Sequence, residues 1–449
     1  MISKKALVPA LAGSLLALMT VSAVATEGYF QHGYGARQKA LGGAGVADST
    51  DATAQALNPA GIAKVGSQVN AAFSLFSPNR KFTGSSVPGF TTTGKVDSSN
   101  DIFAVPNFAV SYAIDESSAI GFMMIGNGGM NTTYKNANGG LGTPAWCNNV
   151  PGRGPYCMGK AGVDLNQMIM GITYARDLGM VSVGISPLFA AQRFSARGLG
   201  AFAPASLNPL ALTSGENSYS YGAGIRAGIE VEVTPKMRVG LSAQSPIWMS
   251  PFTKYKGLFA DSGDFDIPAN VTAGVAYDVT ETVTVMLDWK HIFYTGVGSV
   301  SNSSTNLLTC GPAAMQNCLG GTNGGGFGWK DVDAFKFGVE WDATDKLTVR
   351  GGYAYNTQPV KSADVMFNIL APGVIQHHIT AGLKYDFNEK HSIELAGAFM
   401  PVAKVSGGEL PGFGNPAHGI DLEMSQIDVT LGYTYHFGAK AADPIVRKY

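Results

Sequence analysis

The sequence predicts an all-β fold: a fourteen-stranded antiparallel transmembrane β-barrel with an N-terminal helical hatch plugging the lumen. Three observations on the 449 residues carry this expectation. Segments of alternating apolar and polar residues recur along most of the chain. The connections between them alternate strictly between very short and long. An export signal opens the chain, and no later segment is apolar for long enough to cross a membrane as a helix, which takes about 18 residues.

The last strand shows the alternation most clearly. Ile427, Val429, Leu431, Tyr433, Tyr435 and Phe437 occupy one parity, and Asp428, Thr430, Thr434 and His436 the other. A period of two puts the first set on one face and the second on the opposite face. A greasy, aromatic face repeated over many strands is the pattern of a barrel whose outside meets lipid. In residues 331–341, Phe335, Phe337, Val339 and Trp341 oppose Lys336, Gly338 and Glu340. In residues 346–356, Leu347, Val349, Tyr353 and Tyr355 oppose Thr348, Arg350 and Asn356. Charges are costly against lipid, so the polar faces should line the lumen as a structural network of both signs.

Counting such segments gives strands at 67–77, 102–114, 118–127, 163–175, 180–193, 217–233, 236–248, 268–278, 281–294, 331–341, 346–356, 375–386, 390–401 and 424–437. The joins 115–117, 177–179, 234–235, 279–280, 342–345 and 388–389 are short. Those at 78–101, 128–162, 194–216, 249–267, 295–330, 357–374 and 402–423 are long. Short turns face the periplasm and long loops face outside in outer-membrane barrels.

The address agrees. Lys4 and Lys5 precede an apolar stretch, residues 6–21, and Ala23-Val24-Ala25 is a cleavage site, so residues 1–25 read as a signal peptide. Removing them leaves 29 basic and 32 acidic side chains, a formal charge of −3. Asp, Glu, Lys and Arg make up only 14% of the chain, against about 25% in a usual soluble protein. No basic patch suggests nucleic acid as a partner. The four cysteines form two close pairs, Cys147/Cys157 and Cys310/Cys318, both in long loops. In an oxidising compartment each pair is expected to close a local disulfide. Neither has the C-x2-C spacing of a zinc site, so no metal and no cofactor are expected.

Fourteen strands enclose more space than their own side chains fill, since about eight is the packed limit. Residues 26–66 precede the first strand, are rich in Gly and Ala and lack alternation. They are expected to form the plug. The barrel then spans 67–437, and 438–449 form a tail.

Several motifs resemble the FadL/TodX family of outer-membrane transporters for long-chain fatty acids and other hydrophobic compounds. Glu27-Gly28-Tyr29-Phe30 through Leu41-Gly42-Gly43-Ala44, then Asn58-Pro59-Ala60-Gly61, resemble its N-terminal hatch. Gln244-Ser245-Pro246-Ile247, Leu287-Asp288-Trp289, Gly338-Val339-Glu340-Trp341, Arg350 to Tyr355 and Pro359-Val360 follow its strand patterns in order. The resemblance implies a monomeric barrel that captures a hydrophobic ligand near its outer loops and passes it to an inner site. The ligand then leaves sideways through a kink in the third strand. Gly328-Trp329-Lys330-Asp331 resembles a family element carrying a head-group lysine, which implies Lys330 as a carboxylate partner. Arg193 is a looser match, with Arg197 as its competitor.

The residues supply further expectations. Loop 194–216 carries Phe202, Leu207 and Leu210, and loop 249–267 carries Phe252 and Phe259. Apolar residues in supposedly wet loops suggest a landing site for a greasy ligand. Gly121 and Gly126 in the third strand mark a weak point in the wall. Asn58 is expected beside it, satisfying backbone groups that a bend frees. The expected partners are a hydrophobic small molecule, outer-membrane lipid and, as the resemblance implies, the barrel assembly machinery, which reads the aromatic residue ending the last strand, here Phe437. An enzyme is not expected: no G-x-S-x-G motif occurs, and His377 and His378 are adjacent and so point apart. The alternatives are a general or small-molecule porin, which predicts a charged constriction and no plug, and an uptake channel specific for aromatic hydrocarbons.

Overall fold

The structure is a computed structural model and describes residues 26–135 and 154–437. The predicted signal peptide, Cys147 and the tail from 438 onward lie outside the described residues. Fourteen strands form the wall: β1 (Gln68–Gly84), β2 (Phe103–Ala113), β3 (Ser118–Asn131), β4 (Gly162–Asp177), β5 (Val181–Arg197), β6 (Ser218–Thr234), β7 (Met237–Gln244), β8 (Asn270–Asp278), β9 (Val283–Ile292), β10 (Val332–Thr344), β11 (Leu347–Asn356), β12 (His377–Asn388), β13 (His391–Gly408) and β14 (Gly419–His436). Each pairs antiparallel with the next. The wall closes where β14 pairs with β1, in one register from Gln68 opposite His436 to Gly84 opposite Ile420. Two short ribbons stand off the wall, Gly94–Asp97 on β1 and Trp248–Met249 on β6.

The closed, fourteen-stranded antiparallel barrel agrees with the alternation. Ile427, Val429 and Leu431 are about half exposed, while Gln426, Asp428 and Thr430 between them are buried. Phe335, Phe337 and Trp341 face outward, and Lys336 and Arg350 are buried inside. The adjacent histidines split as their spacing requires: His377 is exposed, and His378 is fully buried. Several strands outrun their expected bounds at the loop ends. β1 was expected to stop at 77 and reaches Gly84; β13 and β14 meet out to Gly408 opposite Gly419. The apolar alternation that marks a strand ends where the outward face leaves lipid, but the hydrogen-bond ladder does not need lipid to continue.

Residues 26–66 run through the lumen. They contain one short helix, α1 (Gly35–Ala40), and two 3-10 turns, Ala52–Ala56 and Pro59–Ala63. Ion pairs tie this segment to the inner wall. Glu27 meets Lys290 at 2.8 Å and Lys336 at 2.7 Å. Lys39 meets Asp428 at 2.7 Å, and Arg37 meets Glu340 at 2.9 Å. Glu340 also accepts from Arg350, which in turn reaches Glu394. The lumen charges of both signs therefore form a network through the plug rather than only across an empty channel.

Candidate functional site: a break in the wall and an apolar pocket under the outer loops

The ladder between β2 and β3 runs from Ala113 opposite Ala119 to Asn107 opposite Ile125, and there it stops. The remaining residues of β2, Phe103–Pro106, stay paired with β1. The remaining residues of β3 stay paired with β4, across a bulge between Gly126 and Gly128. Pro106, which lacks an N–H, stands where pairing ends. A break results between two neighbouring strands, bordered by Val105 and Gly126: a Cβ on Gly126 would lie 2.8 Å from Val105 Cγ1.

Backbone groups freed on β3 are taken up by the N-terminal segment. Gln31 N–H donates to Asn127 O at 3.1 Å, and Gly129 N–H donates to Tyr29 O at 3.0 Å. The Gln31 side chain donates to Gly126 O, and Tyr34 Oη–H donates to Asn127 Oδ1 at 3.1 Å. Gly128 permits this approach, because a Cβ there would sit 1.6 Å from Tyr29 O.

The expected contact of Asn58 with the third strand is not what the structure shows. Asn58 caps the turn Pro59–Ala63 by accepting from Ala60 N–H, and its Nδ2 donates to Val46 O and to Ile229 O of β6 at 2.7 and 3.1 Å. Gly184 of β5 and Gly228 of β6 are register partners. Together they leave a notch: a Cβ on Gly228 would lie 2.0 Å from Asn58 Oδ1, and one on Gly184 2.4 Å from Pro59. The turn sits where two inward glycines coincide, with Gly61 buried at Ser49. The hatch residue that does reach the third strand near Gly121 is Gln55. Its Nε2 donates to Val110 O and Phe122 O at 3.1 and 3.3 Å, and a Cβ on Gly121 would meet its Oε1 at 2.6 Å.

Under the outer loops lies a small apolar pocket. Tyr156, Phe194, Phe202, Phe259, Phe327 and Phe367 line it, and among the described residues no charged side chain does. The ring centroids of Phe194 and Phe259 lie 4.6 Å apart with the rings tilted, and those of Phe202 and Phe367 5.1 Å apart edge to face. Of the expected loop residues, Phe202 and Phe259 are at this pocket. Phe252 is fully buried against Phe194 behind it. Leu207 is half-buried and held through its N–H to Leu319 O, and Leu210 is fully exposed. The loop sequence marks apolar residues but not which turn of a 3-10 segment, here Pro209–Ala211, faces out.

Neither expected cation faces the lumen. In β5, Gln192 and Phe194 point inward, so Arg193 points outward, where it pairs with Asp164 of β4 at 2.9 Å. Arg197 shares that parity and is exposed. Lys330 is exposed, and its neighbour Trp329 is the buried residue, donating from Nε1 to Asn368 Oδ1 at 2.6 Å. Trp329, Phe194, Gln31 and Gln55 were missed by the sequence reading. A tryptophan after a glycine-rich run, residues 324–328, was the one available signal.

Cys310 and Cys318 are disulfide-bonded. Cys157 is also disulfide-bonded; its expected partner Cys147 is outside the described residues. Among the described residues no cluster of potential metal ligands occurs.

A family profile described as Outer membrane protein transport protein (OMPP1/FadL/TodX) matches residues 196–437. The chain belongs to this family. It is an outer-membrane β-barrel transport protein. No curated protein matches it. Among solved structures, the Pseudomonas putida toluene transporter TodX is similar over 91% of this chain and 99% of its own, at 16% identity and a TM-score of 0.65. A Pseudomonas aeruginosa FadL homologue is similar over 92% of this chain and 100% of its own, at 14% identity and a TM-score of 0.65. The monoaromatic hydrocarbon channel CymD is similar at 15% identity and a TM-score of 0.56, over 92% of this chain and 100% of its own. At these identities the likeness concerns the fold.

Proposed function

We propose that this FadL/TodX-family barrel takes up long-chain fatty acids or similar hydrophobic molecules, capturing them in the apolar pocket under the outer loops. The ligand passes down the lumen beside the hatch and leaves sideways between β2 and β3. The observation that carries this route is the end of the β2–β3 ladder at Asn107 and Ile125. A hydrophobic ligand gains nothing by entering periplasmic water, so a door into the bilayer is the favourable exit. A closed wall offers no such door. The division into signal peptide 1–25, hatch 26–66, barrel 67–437 and tail 438–449 belongs to this reading. So do a monomeric barrel in outer-membrane lipid, assembly machinery that reads Phe437, and transport without catalysis. The route is tested by sealing the break. A disulfide between Val105→Cys and Gly126→Cys should abolish uptake of palmitate and of toluene by whole cells, and reduction should restore it. Unchanged uptake through the cross-linked barrel would send the ligand out through the bottom instead.

The apolar lining of the pocket, without a charged side chain among the described residues, favours a second reading, uptake of neutral aromatic hydrocarbons. Two of the structurally similar proteins bear that role in their names, the toluene transporter TodX and the monoaromatic hydrocarbon channel CymD. Competition between toluene and palmitate for the same uptake separates the two.

A further inference from the structure

The pocket under the outer loops is small, and a palmitate chain or a toluene ring needs more room than it offers. Part of its surroundings must therefore move if a ligand is to enter. The piece of chain placed to do so is the tip between β1 and the ribbon Gly94–Asp97. Gly84 and Gly94 are register partners, so residues 85–93 leave the wall as the end of a hairpin. Phe90 in this tip is buried. Its ring centroid lies 6.2 Å from that of Tyr156, stacked, and 6.0 Å from that of Phe202, edge to face. Both of those rings line the pocket. Residues 86–88 are exposed. The tip thus lies between the two rings and the outside and holds them in place. At its far end Gly94 takes a φ of +79° and has open space beside it, which suits a hinge.

One carboxylate holds the tip down. Glu409 follows β13 directly and is 3% exposed. Its Oε2 accepts from Phe90 N–H at 2.9 Å and from Asn415 N–H at 2.7 Å. Its Oε1 accepts from Thr91 N–H, and from Thr91 Oγ1–H at 2.6 Å. Three of these four bonds come from the tip. The loop after Glu409 adds two more contacts, Asn415 Nδ2–H to Pro88 O at 2.7 Å and His418 Nδ1 to Val87 O. Hydrogen bonds to a charged acceptor are the strong ones, yet water replaces each of them when the tip lifts. The bonds to Glu409 lie outside the strand ladder, so they can open while the barrel stays closed.

We propose that residues 85–93 form a lid on the apolar pocket, latched shut by Glu409. Lifting the lid takes Phe90 off Tyr156 and Phe202, which frees those rings to turn and widens the pocket. The proposal rests on the capture reading above and adds its control: the pocket accepts a ligand only in the fraction of molecules whose lid is up. Apparent affinity is lowered by that fraction. Weakening the latch should therefore raise affinity for every ligand by one common factor, whatever its head group.

The test uses the purified full-length protein in detergent, with palmitate and toluene as probes. Glu409→Gln removes the charge and keeps one oxygen. Exchange of the Phe90 and Thr91 amide protons should quicken about ten- to a hundredfold, with the β1–β14 ladder unchanged. Affinity for palmitate and for toluene should rise by that same factor. A merely structural role for Glu409 would lower affinity or leave it as it was, and either result alongside faster exchange overturns the lid. Unchanged exchange overturns the latch. Pro88→Cys with Asn415→Cys approaches from the closed side. The oxidised pair should abolish binding of both probes and reduction should restore it, with the unaltered protein in the same reductant as control for the native disulfides. Undiminished binding to the cross-linked protein would also overturn the proposal. Binding that ignores the latch leaves the capture reading standing and removes the lid alone. Failure of the unaltered and the Glu409→Gln proteins to bind either probe removes both.

Discussion

Glu27 ties the N-terminal segment to two strands of the wall at once. Its carboxylate is fully buried between Lys290 and Lys336, on two different strands. Removing one partner of a buried pair leaves an unpaired charge and costs about 3–5 kcal/mol. Glu27→Gln leaves two such cations. The N-terminal segment should then become cleavable by trypsin at Arg37 and Lys39 in the folded barrel, with the wall still resistant to heat and detergent. Continued protection of both sites would mean that the remaining pairs, Lys39–Asp428 and Arg37–Glu340, suffice. Asp264, in the loops outside the membrane, makes a pH prediction. Burial first, and the charges of Asp266 and Asp261 second, push its carboxyl up to about 6. An unfolded aspartate titrates near about 3.9. The raised value means that the folded loop prefers the neutral form. Packing there therefore weakens as pH rises through 6 and is regained as pH falls toward 4. Hydrogen exchange in residues 249–267, corrected for its intrinsic pH dependence, should be slower at pH 5 than at pH 7.5. Asp264→Asn should abolish that difference.

At the scale of elements, the third strand is the part whose partners decide its shape. β3 is paired with β2 up to Ile125 and with the hatch segment Tyr29–Gln31 beyond it. Gly128→Val should expel that segment, because even a Cβ would lie 1.6 Å from Tyr29 O. The freed end of β3 then loses two backbone hydrogen bonds, and uptake should fall while the barrel stays assembled. A normal rate would show that the hatch–strand contact is not needed for passage. Two hatch side chains act on different strands and should be separable. Gln55→Ala should shift the 13C carbonyl resonances of Val110 and Phe122, whose oxygens accept from its amide. Asn58→Ala should leave them unchanged and loosen the turn on β6 at Ile229, at a cost of about 1 kcal/mol for the lost cap. The opposite pattern would return Asn58 to the third strand.

For the whole molecule, the consequence of fourteen strands is a lumen that the wall cannot fill. The plug and its ion pairs occupy it. Liposomes carrying the intact protein should exclude sugars, and liposomes carrying a barrel without residues 26–66 should swell in them. Sugar entry through the intact protein at the rate of the hatchless barrel would return the general-porin alternative. The Cys310–Cys318 bridge closes a loop only eight residues apart in sequence. Its stabilisation by chain entropy is about 2–3 kcal/mol. Reduction should loosen residues 298–330 and leave the barrel's resistance to heat unchanged.

The sequence by itself determined the barrel, because the environment on each face of a strand selects its residues one position at a time. Lipid outside and a polar lumen inside impose a period of two, visible in Ile427 to Tyr435 or Phe335 to Trp341 without any knowledge of neighbours. The alternating loop lengths then set strand count and orientation. The sites were less legible. Lys330 was chosen for its surroundings in sequence, and it shares the parity of the inward residues Val332, Ala334 and Lys336, but it lies before β10, where the course of the loop buries Trp329 and leaves Lys330 exposed. Arg193 went out by strand alternation, one position from Gln192. Asn58 left its expected strand, and Gln55 stands there instead, because the notch that receives Asn58 needs Gly184 and Gly228 at one level. Those two residues are 44 positions apart and become neighbours only through register. Pairing across strands, and the bend that ends it at Asn107 and Ile125, are long-range contacts, and only the tertiary structure could decide them.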